Sequence, residues 1–222
     1  MVMLYIILFF LELIALFFFS RRVQKKLGTY LYGLTKNKKI SIYFMAFLFL
    51  PGTFVHEMSH FLSALFLLVP VGKMELIPVI EKDSVKLGSV GIAKTDIIRR
   101  FLIGSAPFTI GTLVILTLSN QLFVNFNIEW GMKPLDLAVL FLGAYLVFTI
   151  SNTMFASKKD LEGMWGFVAI IAISAVTFWI FNINLNLSFL SEIGLREIFS
   201  RASMLLLIPL IIDIIALISL KI

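Results

Sequence analysis

The sequence predicts an all-α polytopic membrane protein of about six transmembrane helices, with one short membrane-associated β-hairpin between spans two and three. Three observations lead there. Sixty per cent of the 222 residues are hydrophobic, mean hydropathy is +1.02, and 14% are charged, against roughly 25% charged in a soluble domain. The apolar residues gather in runs that, as helix, match a hydrocarbon layer of about 30 Å, for which about 20 residues suffice. Between residues 72 and 94 the apolar period falls from helical to alternating. No repeat, low-complexity tract or soluble domain interrupts residues 1–222, so the chain reads as a single membrane-embedded domain.

Residues 3–20 are apolar apart from Glu12, and Arg21, Arg22, Lys25 and Lys26 follow. A cleavable signal peptide has its charges before the apolar core and a small-residue site after it, so this segment is expected to be a retained first span. Glu12 is expected to be protonated or packed against another span. Leu27 to Lys39 reads as a short loop. The second span covers about 40–70, where Pro51-Gly52 removes a backbone donor and predicts a kink.

In the 72–94 segment Met74, Leu76, Val85 and Leu87 alternate with Lys73, Glu75, Ser84 and Lys86, and Glu81-Lys82-Asp83-Ser84 reads as the turn. Pro78 suits an exposed edge, and such an edge can pair with the main chain of an unwound peptide. The third span, about 96–126, contains Gly104-Ser105-Ala106-Pro107 and Gly111, small residues that permit close helix approach. The fourth covers about 134–156 and the fifth about 164–181. A polar or interfacial segment, 182–199, leads to the sixth, about 201–220, with Pro209 and Asp213 inside it.

Chemistry is concentrated in the second span, at His56-Glu57-Met58-Ser59-His60, which contains both histidines of the chain. Residues four apart share a helix face, so the two imidazoles can converge on one ion, and Glu57 can reach a water activated there. This is the H-E-x-x-H zinc pattern, two nitrogen ligands and a carboxylate base. Each ionisable group inside a span costs about 2.5–3.5 kcal/mol on insertion scales, and three within five residues argue against coincidence. With no cysteine, the remaining ligand must be an oxygen. The net charge of +6 sits in short connections, which points to lipid headgroups and topology rather than nucleic acid. Candidate third ligands are Glu75 and Glu81 in the hairpin, Glu12 and Asp213 isolated within spans, and Asp160 where span four turns into span five.

Asn152 and Asp160 are eight residues apart, and with this pair the chain resembles the site-2 protease family of intramembrane zinc metalloproteases. That family has H-E-x-x-H on one span and, on a later one, an asparagine eight residues before a metal-ligating aspartate. The stretch from Gly104 to Gly111 is similar to the family's small-residue and proline segment, and six spans match its minimal members. Two positions depart from the pattern: Phe155 stands where the family often has proline, and Leu161 where it has glycine, with Gly163 two residues on. The resemblance implies one Zn2+ held by His56, His60 and Asp160, with Glu81 the alternative to Asp160. It implies Glu57 as general base, Asn152 as a donor to the substrate oxygen, and a transmembrane protein or membrane-bound peptide as substrate.

The expected setting is the cell membrane of a prokaryote. A metal-transporting membrane protein and an inactive relative that binds a membrane partner are the competing readings. The segment from Arg21 to Lys39 has seven basic residues and that from Lys73 to Arg100 has six. By a narrow margin this count makes the first segment cytoplasmic and, across span two, puts the metal nearer the outer face. The family resemblance implies the reverse, a metal site opening to the cytosol.

Overall fold

The computed structural model of the chain describes residues 2–80, 85–86, 88–125, 133–155, 173 and 194–220. Helix α1 spans Val2–Thr35, α2 Lys38–Leu48 and α3 Leu50–Phe66. Four short strands follow, β1 Val71–Glu75, β2 Val79–Ile80, β3 Val85–Lys86 and β4 Ser89–Ile92, and then α4 Ile97–Asn125, α5 Pro134–Thr153 and α6 Leu195–Ser219. α1, α4, α5 and α6 are each long and apolar enough to cross a bilayer, and the bent pair α2–α3 is a further candidate. The predicted fifth span, 164–181, lies outside the described residues apart from Ile173.

α1 does not stop at the basic cluster. Arg21, Arg22, Lys25 and Lys26 are good helix formers, no proline intervenes, and the helix continues to Thr35, which replaces most of the predicted loop from Leu27 to Lys39. Only Lys36 and Asn37 separate α1 from α2. Lys36 takes a left-handed turn (φ 51°), and the Asn37 side chain accepts the Lys39 and Ile40 amides as N-cap. At the other end of the chain α6 begins at Leu195, so the segment predicted as polar loop up to 199 is already helical in its last residues.

Helix ends follow their caps. Asp96 Oδ1 accepts the Arg99 amide (3.0 Å) at the start of α4, and this bond holds the carboxyl below the ordinary range, aided by the Arg99 guanidinium. The cap's contribution is therefore complete above the ordinary carboxylate pKa and disappears as pH falls through the depressed one. α3 closes with Leu68 amide to Leu65 carbonyl and Val69 amide to Ala64 carbonyl. Leu68 is left-handed (φ 56°) where glycine is usual.

The hairpin is present as the alternating pattern predicted. β1 pairs antiparallel with β4, Val71 opposite Ile92 and Glu75 opposite Ser89, and β2 pairs with β3. Pro78, which cannot donate to a ladder, sits between β1 and β2. The predicted turn 81–84 lies outside the described residues. Val71 and Ile92 pack against Ala64, Val69 and Ile103, seating the hairpin on the end of α3 and the start of α4.

The bundle core joins Leu13 and Leu16 of α1, Ile115 of α4, Val147 and Ile150 of α5, Met154 just beyond it, and Leu206 and Leu210 of α6. Contacts give each helix its direction. Phe9 packs on Phe199 and Glu12 bonds Ser203, so α1 and α6 run the same way. Arg201 bonds Asn120 and Asp213 bonds Asn152, while Gly111 abuts Met154 and Gly143 abuts Leu122. α4 therefore runs opposite to α5 and α6. Leu48, Phe49 and Gly52 meet Tyr145, Phe148 and Thr149 in step, so α3 enters alongside α5.

It follows that the C-terminal end of α1 and the N-terminal end of α4 lie on one side of the bundle. The chain between them, α2, α3 and the hairpin, leaves that side and returns to it. Predicted span two is thus not a full crossing but a re-entrant pair, bent by 70° at Phe49. Pro51 near the start of α3 supplies the break that the sequence predicted. The consequence is that the described parts of the basic segments 21–39 and 73–100 share a face. Because the protein has no cysteine, single Lys36→Cys and Lys94→Cys variants report without background. Both are expected to react with an impermeant maleimide from the same side of sealed membranes. Labelling from opposite sides would restore a full second crossing.

Candidate functional site

One face of the central segment of α3 is buried although it carries four polar residues, with His56 half-buried beside them and Phe54 exposed. Thr53, Glu57, Ser59 and His60 are all buried, and Ser59 Oγ is absorbed by the Val55 carbonyl (2.6 Å). The His56 and His60 rings lie 4.9 Å apart, nearly perpendicular, as two side chains one turn apart on a common face should.

Three neighbours build the surroundings. α5 contributes the floor: Tyr145 Oη donates to the Leu48 carbonyl (2.8 Å) at the helix break, and Phe148 stacks on the fully buried Phe49. A Cβ on Gly52 would collide with the Thr149 carbonyl and Thr153 Oγ1, so glycine is what lets the two backbones meet one turn before His56. α4 supplies the Ile103 carbonyl, 2.8 Å from His60 Nδ1. A carbonyl can only accept, so Nδ1 carries a proton, which in a neutral ring assigns Nε2 as the metal-binding nitrogen.

The hairpin supplies the lid. A Cβ on Gly88 would stand 2.9 Å from Thr53 Cγ2, 3.0 Å from Glu57 Cγ and 3.1 Å from Glu57 Oε1. The chain just before β4 is therefore laid directly on the Glu57 side chain, and any side chain at position 88 would require Thr53 and Glu57 to shift. The sequence marked the hairpin and the motif separately; their contact depends on a glycine that alternation does not single out.

Asn152 is fully buried, with both amide hydrogens committed, to the Phe148 carbonyl (2.9 Å) and to Asp213 Oδ1 (2.7 Å). Gln24 of α1 donates to its backbone carbonyl. Asn152 thus clasps α1, α5 and α6 together, and donation to a substrate oxygen would require one of these bonds to open. Asp213, isolated in the sequence, is the partner that sequence reading missed; its signal was an acid in an apolar run. Glu12 packs against another span as expected, accepting from Ser203 Oγ (2.8 Å).

Asp160 and Glu81, the two candidates for the third ligand, both lie outside the described residues. Among the described residues no group of three histidine, cysteine, aspartate or glutamate side chains is assembled for a metal. The described donors are of the kinds zinc takes: two imidazoles on one face beside a buried carboxylate. Comparison with family models, with curated proteins and with solved structures found no match.

Two expectations follow from this packing. In Gly88→Val the hairpin must lift from Glu57, with a loss of about 1–3 kcal/mol in detergent-micelle unfolding and faster amide exchange in β1 and β4; unchanged exchange would mean that Gly88 does not touch the carboxylate. Asp213→Asn offers Asn152 an acceptor and a donor and should be tolerated. Asp213→Ala leaves the Asn152 amide unmet and should cost about 1–2 kcal/mol in the same measurement; equal stability of the two variants would remove the clasp.

Proposed function

We propose that the chain is an intramembrane zinc metalloprotease that hydrolyses a peptide bond in or near a transmembrane segment of its substrate. The observation that carries the reading is the pair of imidazoles on α3, 4.9 Å apart, with a buried glutamate between them in sequence. His56, His60 and Asp160 would hold the ion. The end of α5 lies beside Gly52, one turn before His56, and Asp160 follows five residues after Phe155, a length that reaches up to about 18 Å when extended.

Zinc bound there would polarise the scissile carbonyl and make a nearby water more acidic. Glu57 takes the proton of the attacking water and delivers it to the departing amine. Its burial under Gly88 excludes bulk water from the carboxylate, which strengthens its interactions with the reacting atoms. A helical substrate must unwind before its carbonyls are accessible, and the adjacent β-hairpin offers main-chain groups to receive an extended peptide. Asn152 would serve as oxyanion donor if Asp213 yielded its place to the substrate.

The shared face of the two basic segments supports a cytosolic opening. Seven and six basic residues lie in 21–39 and 73–100, while Lys133, Arg196 and Arg201 stand at the opposite ends of α5 and α6. The basic count and the family orientation, opposed if span two crosses, agree when it is re-entrant.

The test is cleavage of single-span substrates by purified protein in liposomes. Wild type should cleave and a chelator should stop it. Glu57→Gln should lose at least about 100-fold in rate while retaining zinc, and Asp160→Ala should lose the zinc itself. Cleavage that survives chelation or the Glu57 change would reject the enzyme. Zinc flux that persists in Glu57→Gln, without proteolysis in wild type, would favour a transporter.

A further inference from the structure

Ile103 lies in the second turn of α4, where its carbonyl would ordinarily accept the amide of residue 107. Residue 107 is proline, inside the helix and fully buried, and proline has no amide hydrogen. The Ile103 carbonyl is thereby deprived of its helical donor at a buried position, where an unmet polar group is costly. His60 Nδ1 meets it at 2.8 Å. Ile103 itself is buried and packed against Ala64 of the same helix as His60, so the carbonyl is held at a fixed place relative to the ring.

We infer that Pro107 is a positioning residue for the metal site: by withholding an amide it dedicates the Ile103 carbonyl to His60, fixing the Nδ1–H tautomer and presenting Nε2 as the ligand. The inference rests on the reading of His56 and His60 as zinc ligands. Its logic is a competition for one acceptor. An amide at position 107 would claim the Ile103 carbonyl along the helix axis, and His60 would lose the partner that sets both its proton and its ring plane. Partners of this kind typically contribute 10–100-fold to metal affinity.

Pro107→Ala tests it, because alanine restores the amide and favours the helix, so the variant is expected to fold. With two histidines in the chain, 15N-histidine labelling gives two imidazole spectra and no others. Metal-free wild type should show one ring locked as Nδ1–H, and Pro107→Ala should show that ring as a mixture of tautomers. Zinc affinity, measured by competition with a chromophoric chelator, should fall about 10-fold, with helicity by circular dichroism unchanged or raised. Wild-type tautomer and wild-type affinity in the variant would overturn the inference. Should wild type bind no zinc while the tautomer still shifts in the variant, the zinc reading falls and Pro107's hold on His60 stands by itself.

Discussion

A lipid bilayer has no water for a carbonyl that has lost its helical donor, and the contacts that hold this protein together are organised by that constraint. Three carbonyls stand where a helix ends, breaks or contains proline, and each is met by a side chain from a different helix. Gln24 of α1 donates to Asn152 in the last turn of α5. Tyr145 of α5 donates to Leu48 at the break between α2 and α3. His60 of α3 donates to Ile103, four residues before Pro107 in α4. Helix irregularities that would weaken a soluble bundle are here the points at which helices recognise one another.

The same constraint explains how a polar motif is accommodated among apolar helices. Glu57, Ser59 and His60 are buried, which is costly for groups of this kind unless their hydrogen-bonding capacity is used. Ser59 turns back on its own helix, His60 takes the proline-freed carbonyl, and Glu57 is covered by a hairpin whose contact residue is glycine. The re-entrant course of α2 and α3 follows as well. Pro51 prevents a continuous helix, and Phe49 and Gly52 dock the bend onto α5, so the segment turns back to its side of origin.

Much of this was legible in the chain. Apolar windows located α1, α4, α5 and α6, alternation located the hairpin, and Pro51-Gly52 located the bend. Spacing put two imidazoles on one face. What escaped was of two kinds. Charge does not mark a helix end: Arg21 to Lys26 interrupt hydropathy but not helix propensity, so α1 runs on to Thr35. Long-range partners were missed because nothing local marks them; Asp213 and Asn152 are 61 positions apart, and only their common lack of apolar character hinted at a meeting.

The sequence by itself determined which side chains can do chemistry, since it holds two histidines, no cysteine and a glutamate between the histidines, and it determined which stretches are long and apolar enough to cross a bilayer. Both are properties of composition and short spacing, which survive without knowledge of direction. The tertiary structure alone decided that α2 and α3 return to the side they leave, that the described parts of both basic segments share a face, and that the His60 ring meets a carbonyl on α4. Hydropathy has no sign along the membrane normal, and a freed carbonyl does not name its donor, so these outcomes depend on which helices pack together and in which direction they run.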